Sequence, residues 1–361
     1  MSVSDREDRG IAAYTGALER IVVFRALPGL GDFLCIVPAL RALRRALPET
    51  QIVLLGLRSG RSLAQRFTHY IDDFIDFPGF PGLSEQTPDV RALPVFLETM
   101  QERAFDLALQ LHGSGLLANP LVVLLGARVN AGFYSQGAYC PDAQRFLLWY
   151  DDESEVRRSL HLLEHLGVPA QGEALEFPIR DEGLEALETN EVMQELAPGR
   201  YVCLHPGAQD PARRWAPEGF AAVGNLLSEK GYQVVLTGTA GEVNLTAAVA
   251  ERMRHGALDL AGQTSLDDLA VLLSGARLLV CNDTGVSHLA AALEVPSVVV
   301  FTATERSNPA RWAPLNGALH HSICPPEEPP EFGRLLGRGV STGRVLTEVE
   351  ALLQREIVYA G

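Results

Sequence analysis

Four short stretches carry residues whose types and spacing could do chemistry. The first is PGLGDFL (28–34), where a glycine-rich turn follows an apolar run and leads into a helical pattern. It sets an aspartate, Asp32, at a helix start beside Gly29 and Gly31. The second is CNDTGVSHLAAAL (281–293), where Asp283, Thr284 and Gly285 stand between a strand end and a helix start. Backbone N–H groups at such a start are unpaired and the helix dipole adds partial positive charge, so a diphosphate fits there. Gly285 lets it approach the backbone, Thr284 adds a hydroxyl donor, and His288 lies one turn further on. The third, HPGAQDPARRWAPEGF (205–220), carries Arg213 and Arg214, whose guanidinium forks suit phosphate oxygens. The fourth, TGTAGEVN (237–244), places Glu242 to accept from ribose hydroxyls.

Each has a plainer reading. Asp32 could simply cap a helix, a contribution of about 1 kcal/mol. Asp283 and Thr284 could cap as well, with His288 packed under the loop, and the two arginines could be a solvated pair. On the residues alone the cap is the favoured reading of Asp32, whereas in the second half three strand-to-helix turns at one sheet rim outweigh the plainer readings taken singly. A dinucleotide fingerprint fits the first turn poorly: Gly29 and Gly31 match, but Leu34 stands where a third glycine permits close helix–strand packing. The Asp32 carboxylate would also repel a phosphate. HLLEH (161–165) matches a zinc-protease pattern of five residues, yet its surroundings read as an ordinary amphipathic helix. No metal and no cofactor are expected.

The elements that must position these residues follow a βα rhythm. Near-continuous apolar runs at 20–26, 51–56, 106–112, 200–206, 232–238, 277–283 and 297–302 read as strands covered on both faces. Helical periodicity fills 33–46, 59–69, 115–126, 153–167, 181–196, 216–230, 241–255, 266–275 and 285–294. The pattern starts twice, so the expectation is an α/β chain of two doubly wound, Rossmann-like domains. Residues 1–19 form a tail, 20–185 the first domain, 186–199 a linker and 200–335 the second domain. A final amphipathic helix within 336–361, capped by Ser341 or Thr342, could pack back toward the first domain.

Composition narrows the chemistry. A chain of 361 residues exceeds one ordinary core. Its net charge of −15 argues against a nucleic-acid partner. Lys230 is the only lysine, which removes a P-loop and disfavours a Schiff base. The five cysteines are scattered singly, which reads as free thiols in a reducing compartment. No apolar stretch reaches the roughly 20 residues of a spanning helix, and the charged opening MSVSDREDRG lacks the apolar core of a signal peptide. A cytoplasmic protein with at most peripheral membrane contact is expected.

These stretches resemble glycosyltransferase family 9, the ADP-heptose heptosyltransferase family. The likeness runs from about 20 to 315 and is carried by ALPGLGDFLCIVPALRAL, LQLHGSGLLANPLVVLLGARVNAGF, HPGAQDPARRWAPEGF, LAGQTSLDDLAVLLSGARLLVCNDTGVSHLAAAL and PARWAP. The resemblance implies a GT-B fold, two Rossmann-like domains facing across a cleft, and an inverting transfer needing no metal. It implies a nucleotide-sugar donor, ADP-heptose, on the second domain and a glycan or glycolipid such as lipopolysaccharide core on the first. By position Asp32 matches the family's general base. Asp283, Thr284, Gly285 and His288 match its diphosphate and sugar contacts, Glu242 its ribose contact, and Thr264 a backbone contact to adenine. Two positions depart from the family: Arg213 stands where lysine is common, and only Glu155 remains of a usual His-Glu pair. Competing expectations are a nucleotide-sugar epimerase and a non-catalytic nucleotide-sugar binding protein.

Overall fold

The computed structural model describes residues 18–180, 194–302, 307–325 and 339–355. The chain divides into two compact units between Glu173 and Ala174. The linker expected at 186–199 falls partly, and the helix expected at 181–196 largely, outside the described residues.

In the first unit the strands are β1 (Arg20–Phe24), β2 (Gln51–Gly56), β3 (Asp73–Asp76), β4 (Leu107–Gln110), β5 (Val129–Tyr134) and β6 (Phe146–Leu148). They pair in parallel in the order β3-β2-β1-β4-β5-β6. The helices are α1 (Leu30–Leu34), α2 (Val37–Ala46), α3 (Arg61–Ala64), α4 (Leu93–Glu102), α5 (Ala118–Leu124) and α6 (Glu155–His165). Val22, Phe24, Val53, Leu55, Phe105 and Leu121 meet in one core. The single helix expected at 33–46 is two, because the chain breaks at Cys35–Ile36 and restarts with Pro38 in the first turn of α2. A proline there has no N–H to lose, whereas inside a continuous helix it would remove a bond.

The second unit repeats the plan. Its strands are β7 (Tyr201–His205), β8 (Gln233–Leu236), β9 (Leu258–Asp259), β10 (Leu279–Asn282), β11 (Ser297–Val300) and β12 (His320–Ile323). Their order is β12-β11-β10-β7-β8-β9, again all parallel. The helices are α7 (Pro217–Glu229), α8 (Val243–Ala250), α9 (Leu266–Ser274), α10 (Gly285–Ala292), α11 (Pro309–Trp312) and α12 (Thr342–Leu353). Ser265 caps α9 reciprocally with Asp268: each side chain accepts the other residue's N–H, at 3.2 and 2.8 Å. Phe220 is fully buried, a gain of about 1.5–3 kcal/mol over exposure.

The closing helix α12 finds its place on the second unit. Val345, Val349 and Leu352 join the core that holds Phe220, Leu204 and Val280. Buried Arg277 donates to the Leu352 and Leu353 carbonyls at 3.3 and 2.9 Å, satisfying the end of the helix. Ser341 caps its start, accepting from the Arg344 N–H at 3.4 Å. The helix packs on α7 and the second sheet.

Burial gives the second unit a pH dependence. His320, the first residue of β12, shares a hydrogen bond with the hydroxyl of Ser297, the first residue of β11, at 2.9 Å. Desolvation, with His288 and His321 nearby, pushes its pKa from 6.5 down to about 4. The unfolded chain binds that proton below about pH 6.5 while the folded chain binds it only near 4. Stability should therefore fall as pH drops from 6.5 to 4, by roughly 2–3 kcal/mol from this group. Thermal midpoints across that window should decline, and His320→Asn should flatten the decline; an unchanged slope in the variant would contradict the assignment.

Candidate functional site

In each sheet the strand order reverses at one point, between β1 and β4 and between β7 and β10. Neighbouring connections leave such a point in opposite directions, and ligands settle in the crevice at the strands' carboxyl ends. The loops at those ends are 25–29 and 111–117 in the first unit, and 206–216 and 283–284 in the second.

The second unit's rim is built on Asn282, the last residue of β10 and fully buried. Its Nδ2 donates to the Pro206 carbonyl at 2.7 Å and its Oδ1 accepts from the Trp215 N–H at 2.9 Å. One amide thus clamps both ends of the 206–215 loop to the next strand. Trp215 is fixed further by its indole N–H, which donates to the Val340 carbonyl at 3.0 Å, and by the Phe220 ring at 5.2 Å. A Cβ on Gly219 would stand 2.4 Å from the indole, so that glycine makes room for it.

The clamp sets Arg213 beside Asp283. Nη1 lies 3.5 Å from Oδ2 of a carboxylate that is 3% exposed. The Ser307 hydroxyl donates to the same oxygen at 2.8 Å. Thr284 takes an extended backbone and forms the N-cap of α10, with no hydrogen bond from its side chain to the helix. The helix is held by Ser287, whose N–H and hydroxyl both donate to the Thr284 carbonyl, at 3.0 and 2.8 Å. Gly285 is its first residue. His288 is buried one turn in, edge-on to Trp312 at 6.4 Å.

Glu242 sits in the turn before α8 and is buried. Its Oε2 accepts from the Thr239 N–H and hydroxyl at 2.8 and 2.9 Å. Burial works to raise this carboxyl, but the two Thr239 bonds and nearby charge outweigh it and the net shift is downward, so it is ionised at pH 7. Oε1 stays 3.8 Å from Arg214, which forks onto the Ala208 carbonyl at 2.9 and 2.8 Å. A Cβ on Gly207 would meet that carboxylate at 2.3 Å, so the backbone of the 206–208 turn lies directly on it. Thr264 is half-buried in the turn that leads to Ser265 and α9.

In the first unit the cap differs from the expectation. Gly29, not Asp32, is the N-cap of α1, and Asp32 is its third residue. The carboxylate reaches back and accepts from the Gly29 N–H at 3.2 Å. A Cβ on Gly29 would stand 2.3 Å from that oxygen, so the glycine is required for the carboxylate to sit there. Gly31 is buried inside the turn. The Asp32 side chain remains 23% exposed and lies 3.8 Å from Arg25. HLLEH brings its two histidines to different partners: His161 Nδ1 meets Glu153 at 2.5 Å and His165 Nε2 meets the Gln144 carbonyl at 2.7 Å.

Sequence reasoning missed Asn282, Ser307 and Arg25. Asn282 left a signal, a fully buried polar residue closing an apolar strand. Ser307 is 24 residues from its partner and left none.

Two parallel units of one strand order, each with loops gathered at its switch point, define a protein of the GT-B class. A glycosyltransferase family 9 structure from Veillonella parvula DSM 2008 superposes with a TM-score of 0.74 at 22% identity, covering 94% of this chain and 99% of that one. The ADP-heptose lipopolysaccharide heptosyltransferase II of E. coli gives 0.68 at 21%, covering 93% and 98%. The sequence pattern of glycosyltransferase family 9 (heptosyltransferase) matches residues 95–335, and the chain belongs to that family. Lipopolysaccharide heptosyltransferase 2 of E. coli K12 is 31% identical over 164 residues, which are 42% of this chain and 46% of the relative. The matched region therefore spans just under half the length of that relative.

Removing the clamp tests its role. Asn282→Ala would leave the Trp215 N–H and the Pro206 carbonyl unpaired in the interior, a cost of roughly 2–4 kcal/mol. Urea unfolding should show that loss; a change below about 0.5 kcal/mol, the usual effect of a surface substitution, would contradict it.

Proposed function

We propose that the protein is an inverting, metal-independent glycosyltransferase that moves a heptose from ADP-heptose to a hydroxyl of a lipopolysaccharide-core glycan. The observation that carries the reading is the Arg213–Asp283 pair beside the start of α10, in a chain of this family. The names of its relatives support heptose as the sugar and lipopolysaccharide as the acceptor.

On this reading the donor lies on the second unit. Its diphosphate takes the N–H groups that open α10 at Gly285, the Thr284 hydroxyl, the Arg213 fork and His288. Asp283 pairs with Arg213 and accepts a hydrogen bond from Ser307, so it holds the guanidinium in place and accepts from sugar hydroxyls. Glu242 binds the ribose through the carboxylate oxygen that Thr239 leaves available. Thr264 gives a backbone contact to adenine.

The acceptor hydroxyl attacks the anomeric carbon from the face opposite the leaving group, which inverts the configuration. Asp32 takes the proton as the bond forms. The departing diphosphate gains negative charge, and the fixed donors around Gly285 and Arg213 meet it. The partners are a nucleotide sugar and a glycan or glycolipid, with no nucleic acid. Among the described residues no helix is long and apolar enough to cross a membrane. We place the reaction in the cytoplasm.

Calorimetry with ADP-, GDP- and UDP-sugars should show preference for the adenine donor; tighter binding of another base would remove ADP-heptose. Asp32→Asn should lower turnover by about 100-fold or more while leaving nucleotide affinity unchanged. Arg213→Ala should raise the donor Kd and slow transfer together, each by about tenfold or more. Transfer at the parent rate in either variant would take that residue out of the reaction.

A further inference from the structure

We infer that Arg25 and Glu155 form a positioning pair that places the Asp32 carboxylate and tunes its strength as a base; this rests on Asp32 being the base proposed above. Arg25 follows β1 and is buried. Its Nη1 donates to the Leu111 carbonyl at 2.7 Å and to Glu155 Oε2 at 3.0 Å. Its Nη2 donates to the Asp32 backbone carbonyl at 3.2 Å and stands 3.8 Å from Asp32 Oδ1. One guanidinium therefore ties together the ends of β1 and β4, the first turn of α1 and the first residue of α6.

Glu155 is 1% exposed and is shared. Its other oxygen accepts from Arg158 Nη1. Arg158 also donates to the Glu153 carbonyl at 2.8 Å and stacks 3.6 Å over the Trp149 ring. The result is a line of alternating charge, Asp32, Arg25, Glu155, Arg158. Further charges border it. Glu153 is 3.8 Å from Arg158 and pairs with His161. His112, in the loop after β4, accepts from the Ala26 N–H through Nδ1 at 3.2 Å and lies 3.5 Å from Glu85.

The distances divide the work. Arg25 gives its short charged bond to Glu155 and only a longer contact to Asp32. A guanidinium committed wholly to Asp32 would hold the carboxylate as a tight ion pair with little affinity for a proton. A base of that kind is weak. By drawing Arg25 away, Glu155 loosens the hold of that guanidinium on the carboxylate, while the Gly29 N–H and the tethered Asp32 backbone orient it. Without Arg25, Asp32 would lose a cation 3.8 Å away and bind a proton more readily. A buried staple with no part in the reaction would alter stability alone.

The test is the pH profile of kcat for heptose transfer in the full chain. Glu155→Gln keeps size and removes charge, so Arg25 should turn to Asp32: the acid limb should move down by about one pH unit and the plateau should fall several-fold. Arg25→Gln should move the acid limb the other way. Glu155→Asp, which keeps the charge, should restore the limb toward the parent position. Near-UV circular dichroism identifies which variants keep native packing, and Glu155→Asp against Glu155→Gln carries the comparison if Arg25→Gln does not fold. An acid limb that stays at the parent position in Glu155→Gln overturns the inference. Asp32→Asn separates the two failures: if it stays active, the base assignment is wrong. If it is inactive while Glu155→Gln keeps the parent profile, Asp32 is the base and Arg25–Glu155 does not tune it.

Discussion

A carboxylate almost without access to water, Asp283 at the end of an apolar strand, is the constraint around which the second unit's rim is arranged. A buried charge must be paired, or it costs several kcal/mol. Ser307 and Arg213 supply the pairing from two separate loops. Arg213 can be there only because Asn282 pins the loop that carries it, through Pro206 on one side and Trp215 on the other. The positive fork is thereby held beside the opening turn of α10. On the proposed reading, one buried carboxylate fixes one guanidinium, and the two together make the rim of an acidic chain fit for an anion.

The first unit solves a similar problem with the opposite purpose. There a guanidinium, Arg25, is buried, and carboxylates are brought to it. Asp32 keeps partial access to solvent, while Glu155 has none. Both units use the same strand order, so both present two loops at a switch point. What differs is which sign of charge is locked inside and which is left at the rim. The second unit leaves a cation and helix amides; the first leaves a carboxylate. On the proposed reading those are the complements of a diphosphate and of a hydroxyl proton, respectively.

The sequence made this arrangement legible where a local pattern carried it. The strands β1, β2, β4, β7, β8, β10 and β11 are largely apolar runs, and each lies within an expected segment. The others did not announce themselves. β3 is DFID, half charged; β5 contains Gly132, which packs against Gln110; β9 has two residues; β12 begins with two histidines. They are strands because a neighbour pairs with them, which is a tertiary fact. The helix α4 was missed because only Met100 among its residues is buried, so its apolar stripe is faint. In the site, Asp32, Asp283, Gly285 and Glu242 were visible as turn residues between strands and helices. Arg213 and Arg214, which border Asp283 and Glu242, were visible as candidate phosphate contacts, whereas Ser307 and Arg25 were not. Arg25 and Glu155 are 130 positions apart, and no spacing rule joins them.

The central claim is that a nucleoside diphosphate lodges at the turn that opens α10. A crystal structure of the chain with ADP tests it most directly. The account predicts diphosphate density within hydrogen-bond distance of the Gly285 N–H and the Arg213 guanidinium, with the ribose against Glu242. Nucleotide density at any other rim, with that turn left to solvent, would contradict it.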